Sequence, residues 1–295
     1  MKKLLFVMNP NAGTRKANKV LPEIFSIFNR AGYSVTAYMT AGPGDCTQII
    51  ARMAREMDVV VCCGGDGTFH EAINGLLRSG VDIPIGYIPA GTTNDFAASL
   101  HLPLGVIEAA KAIVEGTPHR YDVGKFGEEY FCYVASFGAF TKASYATPQN
   151  VKHALGHGAY ILGGIQELSQ LRSAHLRLEL DGAVIEDDFI FGAISNSTSV
   201  GGVLTLDPQY VDMADGMLEL LLIRTPRDLA ELSECIFALQ NPQPNCNAIT
   251  FRSAKKILVS GEGAMTWTLD GERADCGETI EIRNIHNAIQ LLQRG

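Results

Sequence analysis

Val59-Val60-Val61-Cys62-Cys63-Gly64-Gly65-Asp66-Gly67-Thr68-Phe69-His70-Glu71 decides how the rest of the chain is read. Its first five residues are apolar and three are β-branched, which fits a strand buried in a parallel sheet. The glycines at 64, 65 and 67 are expected to turn the chain tightly, because glycine alone reaches positive φ at little cost. Thr68 is placed to cap a helix, and Glu71 three residues later completes a capping box. Phe69, Ala72, Ile73, Leu76 and Leu77 follow at helical spacing. A strand thus runs through a glycine turn into a helix whose free N–H groups and positive end attract phosphate. Asp66 is out of keeping, since a carboxylate beside phosphates is repelled unless Mg²⁺ or a proton in transfer neutralises it. The alternative is an ordinary strand–helix turn with Asp66 in solvent. Two known phosphate patterns do not match: there is no G-x-x-x-x-G-K-[ST], and His70 stands where a dinucleotide fingerprint wants Gly or Ala.

Upstream, residues 4–8 read as the first strand, followed by the loop Asn9-Pro10-Asn11-Ala12-Gly13. Arg15, Lys16 and Lys19 either hold phosphate or form the solvated side of a helix running to about Arg30. Residues 33–39 read as a second strand ending at Thr40, and Gly42-Pro43-Gly44 breaks the chain. Asp45 is expected to cap a helix carrying Ile49, Ile50, Met53 and Ala54. Residues 83–88 make a fourth strand, and Pro89-Ala90-Gly91-Thr92-Thr93-Asn94-Asp95-Phe96-Ala97 is a second glycine loop opening a helix. Such alternation implies a parallel sheet with helices on both faces. Ligands bind at the carboxyl ends of its strands, so the loops at Asn9, Thr40, Gly64 and Gly91 can share one crevice. Thr92, Asn94 and Asp95 would supply hydroxyl, amide and carboxylate groups there; plain helix capping by Asn94-Asp95 is the simpler alternative.

The texture changes at Tyr121-Asp122-Val123-Gly124, beyond which strands shorten and Asp-Gly pairs appear. Residues 130–137 read as one strand. Residues 147–171 look helical, with an apolar stripe that either faces the core or lines a lipid pocket or membrane. His153 and His157 within it are four apart but have no third ligand nearby, so they read as solvated or structural. Residues 176–180 and 183–190 form a hairpin about Asp181-Gly182, extended by 191–195. Residues 196–199 and Gly201-Gly202 make a loop. In Val211-Asp212-Met213-Ala214-Asp215-Gly216-Met217, Asp215 sits in a turn or joins neighbouring carbonyls around a hard cation, and spacing favours the turn. A surface helix over 226–240 and a rigid loop over 241–245 precede short strands near 249, 257–259, 267–269 and 279–282. Asp270-Gly271-Glu272 reads as a hairpin turn like that at Asp181. This half is expected to be mainly antiparallel β, a sandwich or strongly bent sheet.

Composition sets bounds. A chain of 295 residues, 46% hydrophobic and 19% charged, is an ordinary globular protein of one large or two smaller domains. A net charge of −8 argues against broad nucleic-acid binding. Seven cysteines without C-x-x-C spacing suggest neither a disulfide framework nor a zinc site, and reduced thiols in a cytoplasm are expected. The apolar run after Lys2-Lys3 stops at Asn9-Pro10, too short for a signal peptide, and no run approaches a membrane span. The expectation is a soluble or at most peripheral protein.

Gly64-Gly65-Asp66-Gly67-Thr68 together with Pro89-Ala90-Gly91-Thr92-Thr93-Asn94-Asp95-Phe96-Ala97 resembles the catalytic domain of diacylglycerol kinases. Asn9-Pro10-Asn11-Ala12-Gly13 is similar to that family's first loop. Gly138-Ala139-Phe140-Thr141, Thr147-Pro148, Asp215-Gly216 and Leu269-Asp270-Gly271-Glu272 follow in the family's order. The resemblance covers nearly the whole chain and is nearest to soluble bacterial lipid kinases of the YegS/BmrU type. NAD kinases and phosphofructokinases share Gly-Gly-Asp-Gly-Thr; the P-x-G-T-x-N-D element and the late D-G-E point to a lipid kinase. His70 departs from the family, which often has Asn there.

The resemblance implies an α/β N-terminal domain with a parallel sheet over 1–122. A mainly antiparallel, sandwich-like β domain over 123–287 would carry the lipid site, and 288–295 would return to the first domain. ATP would lie in the interdomain cleft. Asn9, Thr40, Gly64, Gly65, Asp66, Gly67, Thr68, Phe69, His70 and Thr92 fall at nucleotide-contacting positions. Asp66 falls at the acid that works with catalytic Mg²⁺, and Asp95 and Asp122 fall at further acids of that network. Glu272 falls at the general base for the lipid hydroxyl, with Asp270 beside it. Asp212, Asp215 and Met217 fall at a second, structural Mg²⁺ site, the first and last through main-chain carbonyls. The implied activity is transfer of the γ-phosphate of ATP to a membrane lipid such as diacylglycerol, giving phosphatidic acid. The implied setting is a cytoplasmic protein in transient peripheral contact with the membrane, with no nucleic-acid partner; a homodimer is an open expectation. An NAD kinase, or a non-catalytic nucleotide or lipid sensor on the same fold, is the alternative.

Overall fold

The computed structural model describes residues 1–138, 173–197, 199–200, 204–205, 211–239, 246–263 and 265–294. The helix read over 147–171 with His153 and His157, the family segments at Ala139–Thr141 and Thr147-Pro148, the Gly201-Gly202 pair and the 241–245 loop lie outside the described residues. In chain order the elements begin β1 (Lys2–Met8), α1 (Lys16–Lys19), α2 (Leu21–Arg30), β2 (Tyr33–Met39), α3 (Asp45–Met53), β3 (Val59–Gly64), α4 (Asp66–Ser79) and β4 (Pro84–Pro89). There follow α5 (Asp95–Ser99), α6 (Val106–Glu115), β5 (Thr117–Phe126), β6 (Glu129–Phe131), β7 (Val134–Gly138), β8 (Ala174–Leu180) and β9 (Ala183–Ser195). The last are the short pair β10 (Ser199–Val200) and β11 (Leu204–Thr205), then β12 (Leu218–Arg224), α7 (Leu229–Ala238), β13 (Ile249–Ala254), β14 (Lys256–Gly261), β15 (Met265–Leu269), β16 (Glu272–Cys276) and β17 (Thr279–Gln293).

The chain folds into two compact units. The first takes Met1–Tyr133, Met213–Gly216 and Ile285–Gly295, so β5 and β6 belong to it. Its parallel strands run in the order β4-β3-β1-β2, with the C-terminal part of β17 parallel on the far side of β4. β3 is buried at every residue, as its unbroken apolar run requires. Side chains alternate across both faces of β1. Leu4, Phe6 and Met8 join Ile24 and Phe28 of α2 and Ile113 of α6 in one cluster. Each such fully buried side chain contributes roughly 1.5–3 kcal/mol. On β3 and β4, Cys62 reaches Cys46 of α3, and Tyr87 stacks on Phe69 of α4 with ring centroids 4.3 Å apart. The chain leaves β1 for β2 on one side and returns to β3 on the other, which makes the carboxyl ends of β1 and β3 a topological switch point.

Two local expectations are corrected. The helix expected to run to about Arg30 is two, parted at Val20, with Pro22 in the opening turn of α2 where a missing N–H costs nothing. The strand read over 130–137 is also two, β6 and β7, interrupted at Cys132-Tyr133.

The second unit takes Val134–Asp212 and Met217–Asn284. Its strands run β16-β15-β7-β9-β8-β14-β17, with β12 between β9 and β13, and these neighbours pair antiparallel. β9 changes partners along its length: its first half pairs β8, its second half β7 and β12. Trp267 of β15 is fully buried, its ring 4.8 Å from that of Phe137 on β7. β12 buries Leu218–Ile223 without a break, Glu219 included at 2% exposure. The α/β first half and mainly antiparallel second half are those the sequence implied. Among the described residues no helix is long and apolar enough to cross a membrane.

Candidate active site

Loops from four parallel strands meet at one end of the first unit's sheet. Asn9 N donates to Cys63 O at 2.9 Å, Thr40 N to Met8 O at 2.9 Å, and Ala90 N to Gly64 O at 2.7 Å, carrying the sheet's hydrogen bonding into the loops after β1, β2 and β4. Asn9 Nδ2 donates to Thr68 Oγ1 at 3.3 Å, and Asn9 Oδ1 accepts from Asn11 N at 2.9 Å. The glycines here serve a different end from the expected one. Gly65 has φ −88, Gly67 is helical, and none of Gly64, Gly65 and Gly67 is at positive φ. What requires glycine is close approach. A Cβ on Gly91 would stand 2.6 Å from Gly65 Cα, and one on Gly64 2.4 Å from Thr68 Cβ. The two glycine loops pass each other backbone to backbone, leaving no room for side chains between them.

The capping box is corrected as well. α4 begins at Asp66 with Gly65 as N-cap and no side-chain cap, and Thr68 lies buried inside its first turn. Glu71 caps a different helix: its carboxylate accepts from Gly44 N at 2.8 Å and Cys46 N at 3.1 Å, at the start of α3. Asp45, expected as that cap, is the first residue of α3 and turns back to accept from Ala41 N and Gly42 N at 2.7 and 3.1 Å. Asn94 is the N-cap of α5 at φ +55, but its amide folds back on Gly91, accepting from its N at 2.9 Å and donating to its O at 3.2 Å.

Asp66 occupies the place Asn94 leaves. Its carboxylate accepts from Asp95 N at 3.1 Å, Phe96 N at 3.3 Å and Thr93 Oγ1 at 3.3 Å. One acid thus opens α4 and caps α5, and the free amides at the start of α5 offset part of its charge. It is half-buried, as is Asp95, while Thr92 is exposed. His70 is half-buried with its Nε2 3.3 Å from Asn74 Nδ2; Asn74 in turn donates to Tyr130 O and accepts from Tyr130 N. Behind the site, Phe69 lies between Tyr87 and Phe96; burial pushes the Tyr87 phenol up, the Asp66 charge adding to the effect. Burial also pushes Cys63 up to about 12 and Cys62 well up, so neither is a ready nucleophile.

Asp122 is brought to a different group. It is 2% exposed, and its carboxylate accepts from Gly216 N at 2.6 Å, Asn287 N at 2.7 Å and, at 2.9 Å, pairs with His286 Nδ1. Its own N donates to Met213 O at 2.8 Å, so Asp122 holds the turn that contains Asp215. Asp212 and Asp215 are exposed, and Met217 O accepts from Asn284 Nδ2 at 2.7 Å. Oxygen donors of this kind suit a hard dication, and so does the Asp66 carboxylate. Among the described residues no three His, Cys, Asp or Glu side chains cluster as a metal group.

On the second unit, Asp270 (φ +50) and Gly271 (φ +92) form the two-residue turn between β15 and β16. Asp270 is 4% exposed, accepts from Val134 N at 3.0 Å through Oδ1, and donates its N to Val134 O at 2.8 Å. Glu272 opens β16 and is exposed. The similar turn at Asp181-Gly182 is exposed and accepts from Lys255 N and Lys256 N. From sequence Glu71 is assigned to the start of its own helix rather than to α3, and Tyr87 and His286 carry no local signal for these sites.

Comparison with known proteins agrees with this architecture. Residues 3–126 match the family model described as the diacylglycerol kinase catalytic domain. Residues 134–292 match the YegS C-terminal NAD kinase beta sandwich-like domain. A diacylglycerol kinase of Bacillus subtilis (strain 168) is 31% identical over 291 residues, covering 97% of this chain and 96% of the relative. One from Staphylococcus aureus (strain MRSA252) is 32% identical over 273 residues, covering 92% and 86%. A crystal structure of a diacylglycerol kinase from Bacillus anthracis str. Sterne superposes with a TM-score of 0.76 at 23% identity, over 99% of this chain and 97% of that one, a likeness of fold. With both halves matched in order and full-length relatives above 30% identity, the chain belongs to the diacylglycerol kinase family of lipid kinases.

Proposed function

We propose that this kinase transfers the γ-phosphate of ATP to the hydroxyl of diacylglycerol, giving phosphatidic acid, with Mg²⁺ as cofactor. The carrying observation is Asp66, a carboxylate that opens α4 and is held by Thr93 and the first amides of α5, where two backbone-tight glycine loops meet. Phosphoryl transfer needs positioning and charge neutralisation more than covalent chemistry. In this reading Asn9, Thr40, Gly64–His70 and Thr92 contact the nucleotide, the amides at the start of α4 facing its phosphates. Asp66 holds the metal edge of the nucleotide, with Asp95 beside it. When bound, Mg²⁺ offsets charge on the phosphates. Asp122 acts through the turn it fixes rather than by touching substrate, supported by its bonds to Gly216 and His286. Asp215, with the carbonyls of Asp212 and Met217, holds a second, structural Mg²⁺. Glu272 takes the proton of the lipid hydroxyl, supported by its exposure and length; Asp270 is spent on Val134. The substrate resides in a bilayer, so the protein works at the cytoplasmic membrane surface.

The test is transfer from γ-labelled ATP in mixed micelles containing diacylglycerol, ceramide, sphingosine, monoacylglycerol or a polyprenol, with NAD in a parallel tube. Label in phosphatidic acid supports the proposal. Label in another lipid shifts the substrate, and label in NADP alone overturns the lipid reading.

A further inference from the structure

The proposed reaction uses none of the seven cysteines. Two of them meet in the second unit. Cys235, on the C-terminal half of α7, has its Sγ 3.3 Å from Sγ of Cys246, which lies just ahead of β13. With Ala238 and Ala248 they form a small buried cluster on which Ile249 packs. Both sulfurs hang from anchored backbone. Asp228 caps α7 by accepting from Glu231 N at 2.8 Å, and Glu231 pairs with Arg224 and accepts from Arg227 N at 2.7 Å. Cys246 O accepts from Ile249 N at 3.0 Å, starting β13. A disulfide needs its sulfurs about 2.05 Å apart, so side-chain rotation of roughly 1 Å closes the gap.

We propose that Cys235 and Cys246 are a modification site, a dithiol that a hydroperoxide converts to an intramolecular disulfide joining α7 to the start of β13. The more exposed residue of the two, Cys246 at 8% against 2% for Cys235, attacks the peroxide as thiolate. Its sulfur bonds to the terminal oxygen, the O–O bond breaks, and the leaving alkoxide or hydroxide takes up a proton, leaving a sulfenic acid. The sulfur of Cys235 then bonds to the sulfenyl sulfur and expels hydroxide, which leaves as water with the Cys235 proton. Two electrons pass from the sulfur pair to the peroxide, giving one disulfide, one alcohol (water, from hydrogen peroxide) and one further water. Burial, then the bond to Cys246, pushes the Cys235 thiol up to about 12, which disfavours it as the first thiol to meet the peroxide; its part in the second step rests on its sulfur lying 3.3 Å from that of Cys246. The pair Cys46 and Cys62 of the first unit also touches, but both residues are 0% exposed and closed to peroxide in the folded protein. Cys276 is more open, but its thiol donates to Met265 O, so its oxidation is expected to end in an acid or a mixed disulfide.

The test exposes the intact protein under native conditions to graded hydrogen peroxide, then unfolds it in alkylating reagent and maps its peptides without reduction. The proposal expects joined peptides containing Cys235 and Cys246, a loss of two hydrogens, and return of both thiols on treatment with dithiothreitol. Cys246→Ser should abolish the link and leave Cys235 alkylatable. If both thiols still alkylate once Cys276 is fully oxidised, or if the link joins other cysteines, the proposal fails. The wild-type map decides this by itself, whatever the fold of the variant.

Discussion

Asp270 and Glu272 lie two residues apart on one hairpin, and the structure separates what each should do. Replacing Asp270 with Ala leaves Val134 N, in a residue 4% exposed, without its carboxylate acceptor. An orphaned buried donor costs about 1–3 kcal/mol. The turn also holds residue 270 at φ +50, where a non-glycine side chain lacking a local hydrogen bond loses roughly 1–2 kcal/mol. Asp270→Ala should therefore destabilise by about 2–5 kcal/mol, a midpoint shift of roughly 4–20 °C for a unit of this size. Asp270→Asn keeps the acceptor oxygen and tolerates positive φ, so its cost should stay below about 1 kcal/mol. Glu272→Gln changes an exposed side chain and should move stability by no more than about 0.5 kcal/mol. Its kcat with diacylglycerol should nonetheless fall by roughly 10²-fold or more while ATP binding persists. Urea and thermal unfolding beside steady-state kinetics at saturating ATP give the crossed pattern. An Asp270→Ala protein as stable as wild type would refute the clamp. A Glu272→Gln protein with most of its kcat would put deprotonation elsewhere, with Asp66 the next residue to examine.

Three further outcomes follow from the first unit. Asp66→Asn should lose nearly all kinase activity while the circular dichroism spectrum is kept; near-normal turnover in a folded variant would defeat its assignment. Gly91→Ala puts a methyl 2.6 Å from Gly65 Cα and 2.8 Å from Asn94 Oδ1, so the loops must part at a cost of about 1–3 kcal/mol. Its KM for ATP should rise more than its KM for lipid, measured by titrating each in turn. Glu71→Ala removes the acceptor shared by Gly44 N and Cys46 N and should cost about 1–2 kcal/mol in urea unfolding, despite lying on α4 rather than α3.

Strands β1 and β3 were legible because a two-faced parallel sheet demands unbroken apolar runs, and 4–8 and 59–63 are such runs. α4 was legible from its 3.6-residue period. Capping was not, because the caps here act across tertiary contacts. Glu71 serves a helix 25 residues away, and Asp66 one 29 residues away, distances at which local spacing carries no information. The glycine loop was found for a partly wrong reason: its glycines admit a neighbouring backbone rather than a positive φ. The two Asp-Gly turns looked alike because both adopt the same left-handed hairpin geometry. Only the neighbour differs, buried β7 for Asp270 and the 255–256 amides for exposed Asp181. β17 extends well past its apolar start because it gains a second partner, β4, after leaving β14.

The most direct trial of the account is phosphate transfer itself: purified protein, γ-labelled ATP, Mg²⁺ and diacylglycerol in mixed micelles, with Asp66→Asn and a chelator as controls. The account predicts labelled phosphatidic acid from wild-type protein and none from either control. Wild-type protein that binds ATP but leaves every lipid of the panel unlabelled, while phosphorylating NAD, would contradict it.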